Sequence, residues 1–182
     1  MTWILLIVVV IFVILLIAVY NGLVRLRVRS ESAWSDVDVQ LKRRHDLIPN
    51  LVETVKGYAA HEKGTFENVT KWRSAAMSAT APEDRVQAES QLTGALRQLF
   101  AVAENYPQLR ASEQFLSLQQ ALQGIEDALQ NARRYYNAVV RDYNTRIQTF
   151  PAILLAGPMG FQARHFFEVD TPDERENVQV KF

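Results

Sequence analysis

Several residue types are scarce or missing in this sequence, and each absence excludes a class of site. The chain has no cysteine, so disulfides, thiolate chemistry and sulfur-ligated zinc or iron–sulfur centres are excluded. Lys plus Arg and Asp plus Glu each total 20 among 182 residues, so no net positive charge attracts nucleic acid. The three histidines, His45, His61 and His165, are far apart and do not predict a metal site.

Patterns that mark common catalytic sites are also missing. There is no phosphate-cradling glycine loop and no G-x-S-x-G nucleophile elbow. Adjacent helical residues such as His61 and Glu62 do not face each other, and Asp36 and Asp38 lie on different sides of a helix. We therefore predict a protein that is not an enzyme and has no cofactor or metal. An unrecognised hydrolase is the least favoured alternative.

One long apolar run, from Trp3 to Tyr20, predicts a membrane anchor. It contains no charge, proline or glycine, and its length is within the roughly 17–25 residues that cross a bilayer. The alternative is a cleaved signal peptide, but such peptides have a basic start and a shorter apolar core. Aromatic and basic residues that favour the membrane interface flank the run: Trp3, Tyr20, Arg25, Arg27 and Arg29.

The same flanking charges predict the orientation of the anchor. No Lys or Arg precedes the run, whereas Arg25, Arg27 and Arg29 follow it closely. Basic residues near the ends of a span favour the cytoplasmic side. We therefore expect the N-terminus outside and the C-terminal domain in the cytoplasm.

The rest of the chain has the periodicity of long helices and no strand-like alternation. The clearest seam places apolar side chains three and four residues apart from Phe115 to Phe150, as in a coiled coil, and should end before Pro151. A shorter helix should begin near Pro82 and end near Pro107. The fold class is therefore all-α, with an N-terminal transmembrane helix followed by an up-and-down antiparallel bundle of three to four long helices.

The number of helices depends on the stretch between Trp34 and Ala79. Pro49 predicts a kink there, and a break near His61–Gly64 would turn three long helices into four. We expect a transmembrane anchor at residues 1–22, a helical bundle domain at 23–168, and a polar C-terminal tail at 169–182.

A dense polar face on the first long helix is the candidate interaction face. It is either a solvated helix surface or a surface for partner binding or self-assembly, and the sequence does not separate the two. Its members carry charges of both signs or amides: Asp36, Asp38, Gln40, Lys42, Arg43, Arg44, Asp46, Asn50, Glu53 and Lys56.

Two further regions allow more than one interpretation. The segment after the last long helix either folds back to close the bundle or contacts the membrane or a subunit, and its candidate contacts are Phe161, Arg164, Phe166 and Phe167. Tyr136 and Tyr143 fall on the seam, where a buried polar layer is favoured over a ligand cavity.

The stretch Ala33–Ala59, AWSDVDVQLKRRHDLIPNLVETVKGYA, resembles the signature of the LemA family of bacterial membrane proteins. The resemblance continues through Ala103–Leu109, Arg133–Asn137, Tyr143-Asn144, Phe150-Pro151 and Gly160-Phe161. It departs at Trp72, where a small residue is usual, and at the uncommon junction Gly157-Pro158. The resemblance implies a helical bundle behind one span in the bacterial inner membrane, and it supplies no reaction.

These observations favour a membrane-anchored helical scaffold or adaptor that acts through protein–protein contacts. The expected partners are the lipid bilayer and other membrane-associated proteins, with self-assembly into a homo-oligomer left open and no nucleic acid. A small-molecule or lipid sensor, with a cavity between helices near Tyr136 and Tyr143, is the alternative from another class.

Overall fold

Helix α1 runs without interruption from Thr2 to Lys56, so the apolar run and the polar stretch behind it form one helix. This helix belongs to a computed structural model that describes residues 1–167. Within that range α1 is the one helix that is long and apolar enough to cross a membrane. Its apolar side chains are exposed, with Trp3 at 78% and Ile14 at 60%, as expected of a surface that faces lipid.

Five further helices follow, and the described residues contain no strand. They are α2 Lys63–Ser78, α3 Pro82–Glu104, α4 Pro107–Arg110, α5 Glu113–Gln148 and α6 Ile153–Ala156. The sequence leaves open a break near His61–Gly64, and the structure has one slightly earlier, at residues 57–62, which separates α2 from α1. The all-α class, the N-terminal apolar helix and the helical bundle are thus confirmed. The up-and-down order and the boundaries at 1–22 and 23–168 stay predictions, and 169–182 lies outside the described residues.

The ends of α3 and α5 follow from local chemistry. Pro82 occupies the first turn of α3, where no backbone N–H is needed, and Glu83 and Asp84 complement the positive end of the helix dipole. Helix α5 ends at Gln148, shortly before Pro151, as predicted.

One compact unit comprises Gln40–Leu129 and, among the described residues, Phe167. Its core is built from apolar side chains of α1, α2, α3, α4 and the first part of α5. The members that are essentially inaccessible to solvent are Leu51, Val55, Val69, Leu92, Leu99 and Leu109. Leu51 and Val55 are four residues apart on α1, and Leu92 and Leu99 are seven apart on α3, so each pair lies on one stripe of its helix.

The other unit comprises Met1–Val39 and Gln130–Phe166. Its core joins α1, the end of α5, α6 and the segment after it, through Val19, Leu23, Tyr143, Ile147, Ala152, Ala156 and Phe161. Gly160 has a φ of 74° and stands at the turn after α6, where the Phe161 N–H bonds to the Ala156 carbonyl at 2.9 Å. Glycine adopts this left-handed conformation without steric cost, so the chain can reverse and bring Phe161 back to the core.

Candidate functional site

A buried cluster of charged side chains joins α1, α3 and α5. Arg44 is 1% exposed and Glu89 is fully buried, and Arg44 Nη1 lies 3.0 Å from Glu89 Oε2. Arg44 Nη2 donates to Thr93 Oγ1 at 2.8 Å, and Arg44 Nε lies 2.8 Å from Glu126 Oε1. The contact with Glu126 is an ion pair and not an aligned hydrogen bond. One arginine thus connects three helices.

His45 completes this cluster on the other side of Glu89. Its Nε2 lies 2.7 Å from Glu89 Oε1, so the two carboxylate oxygens of Glu89 contact two consecutive residues of α1. Removing one partner of a buried ion pair typically costs about 3–5 kcal/mol, because an uncompensated charge is left in the core. The cluster therefore holds α1 and α3 in one register.

Arg44 does not lie on the exposed polar face where the sequence analysis placed it, and this is a correction. It lies on the buried seam of α1 with three apolar residues. The seam runs through Val37, Leu41, Arg44 and Ile48, at spacings of four, three and four residues. A cation on an apolar stripe turns inward only if carboxylates meet it there, and Glu89 and Glu126 do so. Glu89 also stands on a seam, three residues before Leu92. That seam placement was the available signal for a pairing that the sequence analysis missed.

Pro49 lies inside α1 and leaves one helical carbonyl without its usual donor. Because proline has no N–H, the carbonyl of His45, four residues earlier, loses its backbone hydrogen bond. Arg73 of α2 supplies the replacement, donating from Nε to the His45 oxygen at 2.8 Å. This tertiary contact explains how α1 continues through a proline.

The remaining members of the predicted face differ in how far they are exposed to solvent. Exposed residues on α1 within the Gln40–Leu129 unit are Lys42, Arg43, Asp46, Asn50, Glu53 and Lys56. We call these six residues the α1 polar face. Lys56 and Glu53 form an exposed pair at 3.4 Å, which contributes little to stability. Among the described residues, no ion pair or side-chain hydrogen bond engages Lys42, Arg43 or Asp46.

Asp36, Asp38 and Gln40 precede that face on α1. Asp36 is exposed, whereas Asp38 and Gln40 are half-buried. The role of all these residues as an interaction surface stays a prediction.

The segment after α6 folds back on α5 through hydrogen bonds to its backbone. The Asn144 side chain donates from Nδ2 to the Arg164 carbonyl and accepts from the Arg164 N–H, each at 2.9 Å. The Tyr136 hydroxyl donates to the His165 carbonyl at 2.9 Å. Asn144 thus makes the two hydrogen bonds that a neighbouring strand would make with the Arg164 backbone. These bonds hold the segment, which has no secondary structure, against α5.

Side chains of the same segment reach α1. Arg164 Nη2 lies 2.6 Å from Glu31 Oε1, and this hydrogen bond lowers the pKa of Glu31, a residue that lies beyond the apolar run. The Phe161 ring meets Tyr20 edge to face, with centroids 5.9 Å apart. Of the four predicted membrane or subunit contacts, Phe161 and Phe167 are therefore buried and Arg164 is engaged within the fold, while Phe166 is exposed.

The two seam tyrosines are buried, as predicted, and both contact protein groups. Tyr136 packs edge to face against Trp34, with centroids 5.1 Å apart, and burial raises the pKa of its hydroxyl. Tyr143 is 2% exposed and has the Arg164 guanidinium over its ring at 5.8 Å. The polar layer therefore holds the folded-back segment. The sensor alternative, with its cavity between helices, stays a prediction.

The flanking residues of the apolar run occupy positions that suit an interface. Trp3 and Tyr20 are exposed, as are Arg25, Arg27 and Arg29. Arg27 pairs with Glu31 at 3.4 Å, and Arg29 donates from Nε to the Tyr135 hydroxyl at 3.1 Å. Their role as membrane-interface anchors stays a prediction.

Comparison with known proteins points to one family. The model of the LemA family matches residues 33–182, which begins after the apolar run and covers most of the chain. The chain is 28% identical over 134 residues to Protein LemA of Metamycoplasma hominis, covering 71% of this chain and 60% of that protein.

Two magnetosome proteins are also similar over most of the chain. Identity is 26% over 194 residues with magnetosome protein MamQ 2 of Paramagnetospirillum magneticum, covering 90% of this chain and 71% of that protein. It is 25% over 191 residues with magnetosome protein MamQ of Magnetospirillum gryphiswaldense, with coverages of 88% and 70%.

Proposed function

This chain belongs to the LemA family, and from that premise we propose that it is a membrane-anchored helical scaffold or adaptor that acts through protein–protein contacts. One observation carries the proposal: three charges of the α1 polar face, of both signs, have no ion-pair or side-chain hydrogen-bond partner among the described residues. Lys42, Arg43 and Asp46 stand on one side of a helix whose opposite side is fixed by Arg44. A rigid helix with unpaired surface charges favours a complementary protein surface.

The rigidity of this face supports the proposal. Arg44 and His45 attach α1 to α3 through Glu89, and Arg73 attaches it to α2 at the proline. The backbone of a helix fixed in this way loses little additional conformational entropy when a partner binds.

We further propose that the helical domain lies in the cytoplasm and the N-terminus outside. The exposed arginines Arg25, Arg27 and Arg29 follow the apolar run, and basic residues favour the cytoplasmic side of a span. The chain has no cysteine, so Gln162→Cys, at an exposed position, introduces a unique thiol. An impermeant maleimide added to intact spheroplasts should leave this thiol unlabelled until the membrane is opened. Labelling before opening would contradict the orientation.

Site-specific cross-linking in the native membrane tests the scaffold role. A unique cysteine at Arg43→Cys carries a photoactivated cross-linker, and Arg97→Cys, exposed on α3, is the matched control. We expect a discrete adduct from position 43 and none from position 97. An adduct of twice the monomer mass would identify self-assembly, and another discrete mass would identify an adaptor. Equal, diffuse labelling at both positions would contradict the proposal.

A further inference from the structure

The loop from Phe150 to Met159, which we call the α6 loop, is apolar on its outer side as well as its inner side. Ala152 is fully buried and Ala156 is 5% exposed, whereas Phe150 is 78% exposed and Leu154 is 65% exposed. Ile153 is 52% exposed and Met159 is 44% exposed. A short segment that is apolar on all sides is unfavourable in water, because exposing apolar side chains to water costs free energy.

The position of this loop is fixed by what its inner side contacts. Ala152, Ala156 and Phe161 pack in one core with Val19 and Leu23 of α1. Val19 and Tyr20 are the last residues of the apolar run. The α6 loop is therefore level with the end of the membrane span and not with the polar part of the chain.

The end of the apolar run is covered by protein at that level. Val19 is 5% exposed and Leu23 is fully buried, although residues earlier in the run are open. The α6 loop and the end of α5 together cover this part of the helix. Phe150, Ile153 and Leu154 are the exposed apolar residues of the loop. The run from Trp3 to Tyr20 is on the order of 27 Å long at about 1.5 Å per residue, slightly less than the roughly 30 Å of a hydrocarbon core.

We propose that the α6 loop is a second membrane contact, which inserts Phe150, Ile153 and Leu154 into the leaflet where α1 leaves the bilayer. Lipid is the occupant because the exposed apolar surface of the loop is continuous with the end of the span. Exposed basic residues lie nearby in the chain and suit lipid phosphates: Arg25 is two residues after Leu23, and Arg146 is four residues before Phe150. The inference rests on the anchoring of the chain by α1 and not on the scaffold role.

This assignment differs from the contacts expected from the sequence. Phe161 and Phe167, two of the aromatic residues named there, are buried within the fold. The outward apolar side chains instead come from the loop before Gly160.

The depth of spin labels in vesicles tests the proposal with the full-length chain. Because the chain has no cysteine, Leu154→Cys and Phe150→Cys each provide a unique site for a nitroxide. The matched control is Leu116→Cys, a leucine on α5 that is 43% exposed, and Val10→Cys within the run is the reference for lipid. The vesicles contain phosphatidylcholine and phosphatidylglycerol, and collisions with oxygen and with a water-soluble nickel complex report depth.

We expect labels at 150 and 154 to favour collisions with oxygen several-fold over the label at 116, and to lie shallower than the label at 10. Equal accessibility to the nickel complex at 154 and 116 would overturn the proposal. Shielding of 154 from both reagents would overturn it in favour of a second protein copy. A water-exposed label at 10 would overturn the anchor, and this inference with it, whereas failed cross-linking at Arg43 would leave it standing.

Discussion

The Arg73 guanidinium donates from Nε to the backbone carbonyl of His45 at 2.8 Å, the carbonyl that Pro49 leaves without a helical donor. A side chain of α2 thus replaces a missing backbone hydrogen bond of α1. Because of this contact, the free energy of unfolding that is lost when Arg73 is removed should depend on the residue at position 49.

A double-mutant cycle measures that dependence. Arg73→Ala leaves the His45 carbonyl without a donor and should lower the free energy of unfolding by about 1–3 kcal/mol. Pro49→Ala restores an N–H at position 49, so Arg73→Ala should cost less in that background, with a coupling of about 1 kcal/mol. Urea unfolding in mild detergent, followed by circular dichroism, measures all four variants, with Lys63→Ala as an exposed control on α2. An equal cost in both backgrounds would refute the replacement.

Loss of Glu89 should be the most damaging single change in the buried cluster. Glu89→Gln keeps the shape but removes the charge that contacts Arg44 and His45, and we expect a loss of about 3–5 kcal/mol. Glu53→Gln on the exposed face is the matched control and should change the free energy of unfolding by about 0.5 kcal/mol or less. The same unfolding measurement compares them, and equal effects would show that the cluster does not fix the helices.

Release of the folded-back segment should expose a protease site. Asn144→Ala removes two hydrogen bonds to Arg164, so trypsin should cut after Arg164 faster than in the unchanged chain. Asn131→Ala, on the same helix, removes only a local contact with Arg134 and serves as the control. Mass spectrometry of the products at short times identifies the cut. Equal rates in the two variants would contradict the role of Asn144.

Low pH should weaken the attachment of the folded-back segment to α1, because that attachment uses the Glu31 carboxylate. The hydrogen bond from Arg164 holds the pKa of Glu31 below its ordinary value of 4.5. A carboxyl whose pKa is lower in the folded chain stabilises it above the unfolded pKa, and that contribution is lost as pH falls through the folded pKa. A nitroxide at Gln162→Cys should therefore gain mobility only below about pH 4.5. Glu31→Gln should remove this pH dependence, and an unchanged profile in that variant would exclude Glu31 as its source.

Local patterns in the sequence predict the helices well and the polar contacts poorly. Side chains such as Leu122 and Ile147 fall three or four residues from other apolar residues, and that spacing predicts both the helix and its buried stripe. Composition leaves the break after Lys56 open: the break begins at Gly57, a residue that weakens a helix, whereas Gly64 lies inside α2.

The contacts that were missed join residues far apart in the chain. Arg43 and Arg44 are identical in type and adjacent, yet Arg44 is buried because Glu89 and Glu126 come from other helices. The kink at Pro49 stays a prediction, and the hydrogen bond to the His45 carbonyl comes from Arg73, 28 residues away in the chain. Such pairings depend on tertiary packing, and the spacing of residues along one helix does not tell which residues of other helices pack against it.

The native mass of the full-length protein in mild detergent tests the central claim that the chain works through contacts made by the α1 polar face. We expect the unchanged protein to elute well above its monomer mass of 20.8 kDa, corrected for detergent, as a homogeneous assembly or with a companion protein. The charge reversal Arg43→Glu should reduce the mass to that of the monomer, while Arg97→Glu on α3 should not. A monomer in the unchanged protein, or an assembly that Arg43→Glu leaves intact, would contradict the account.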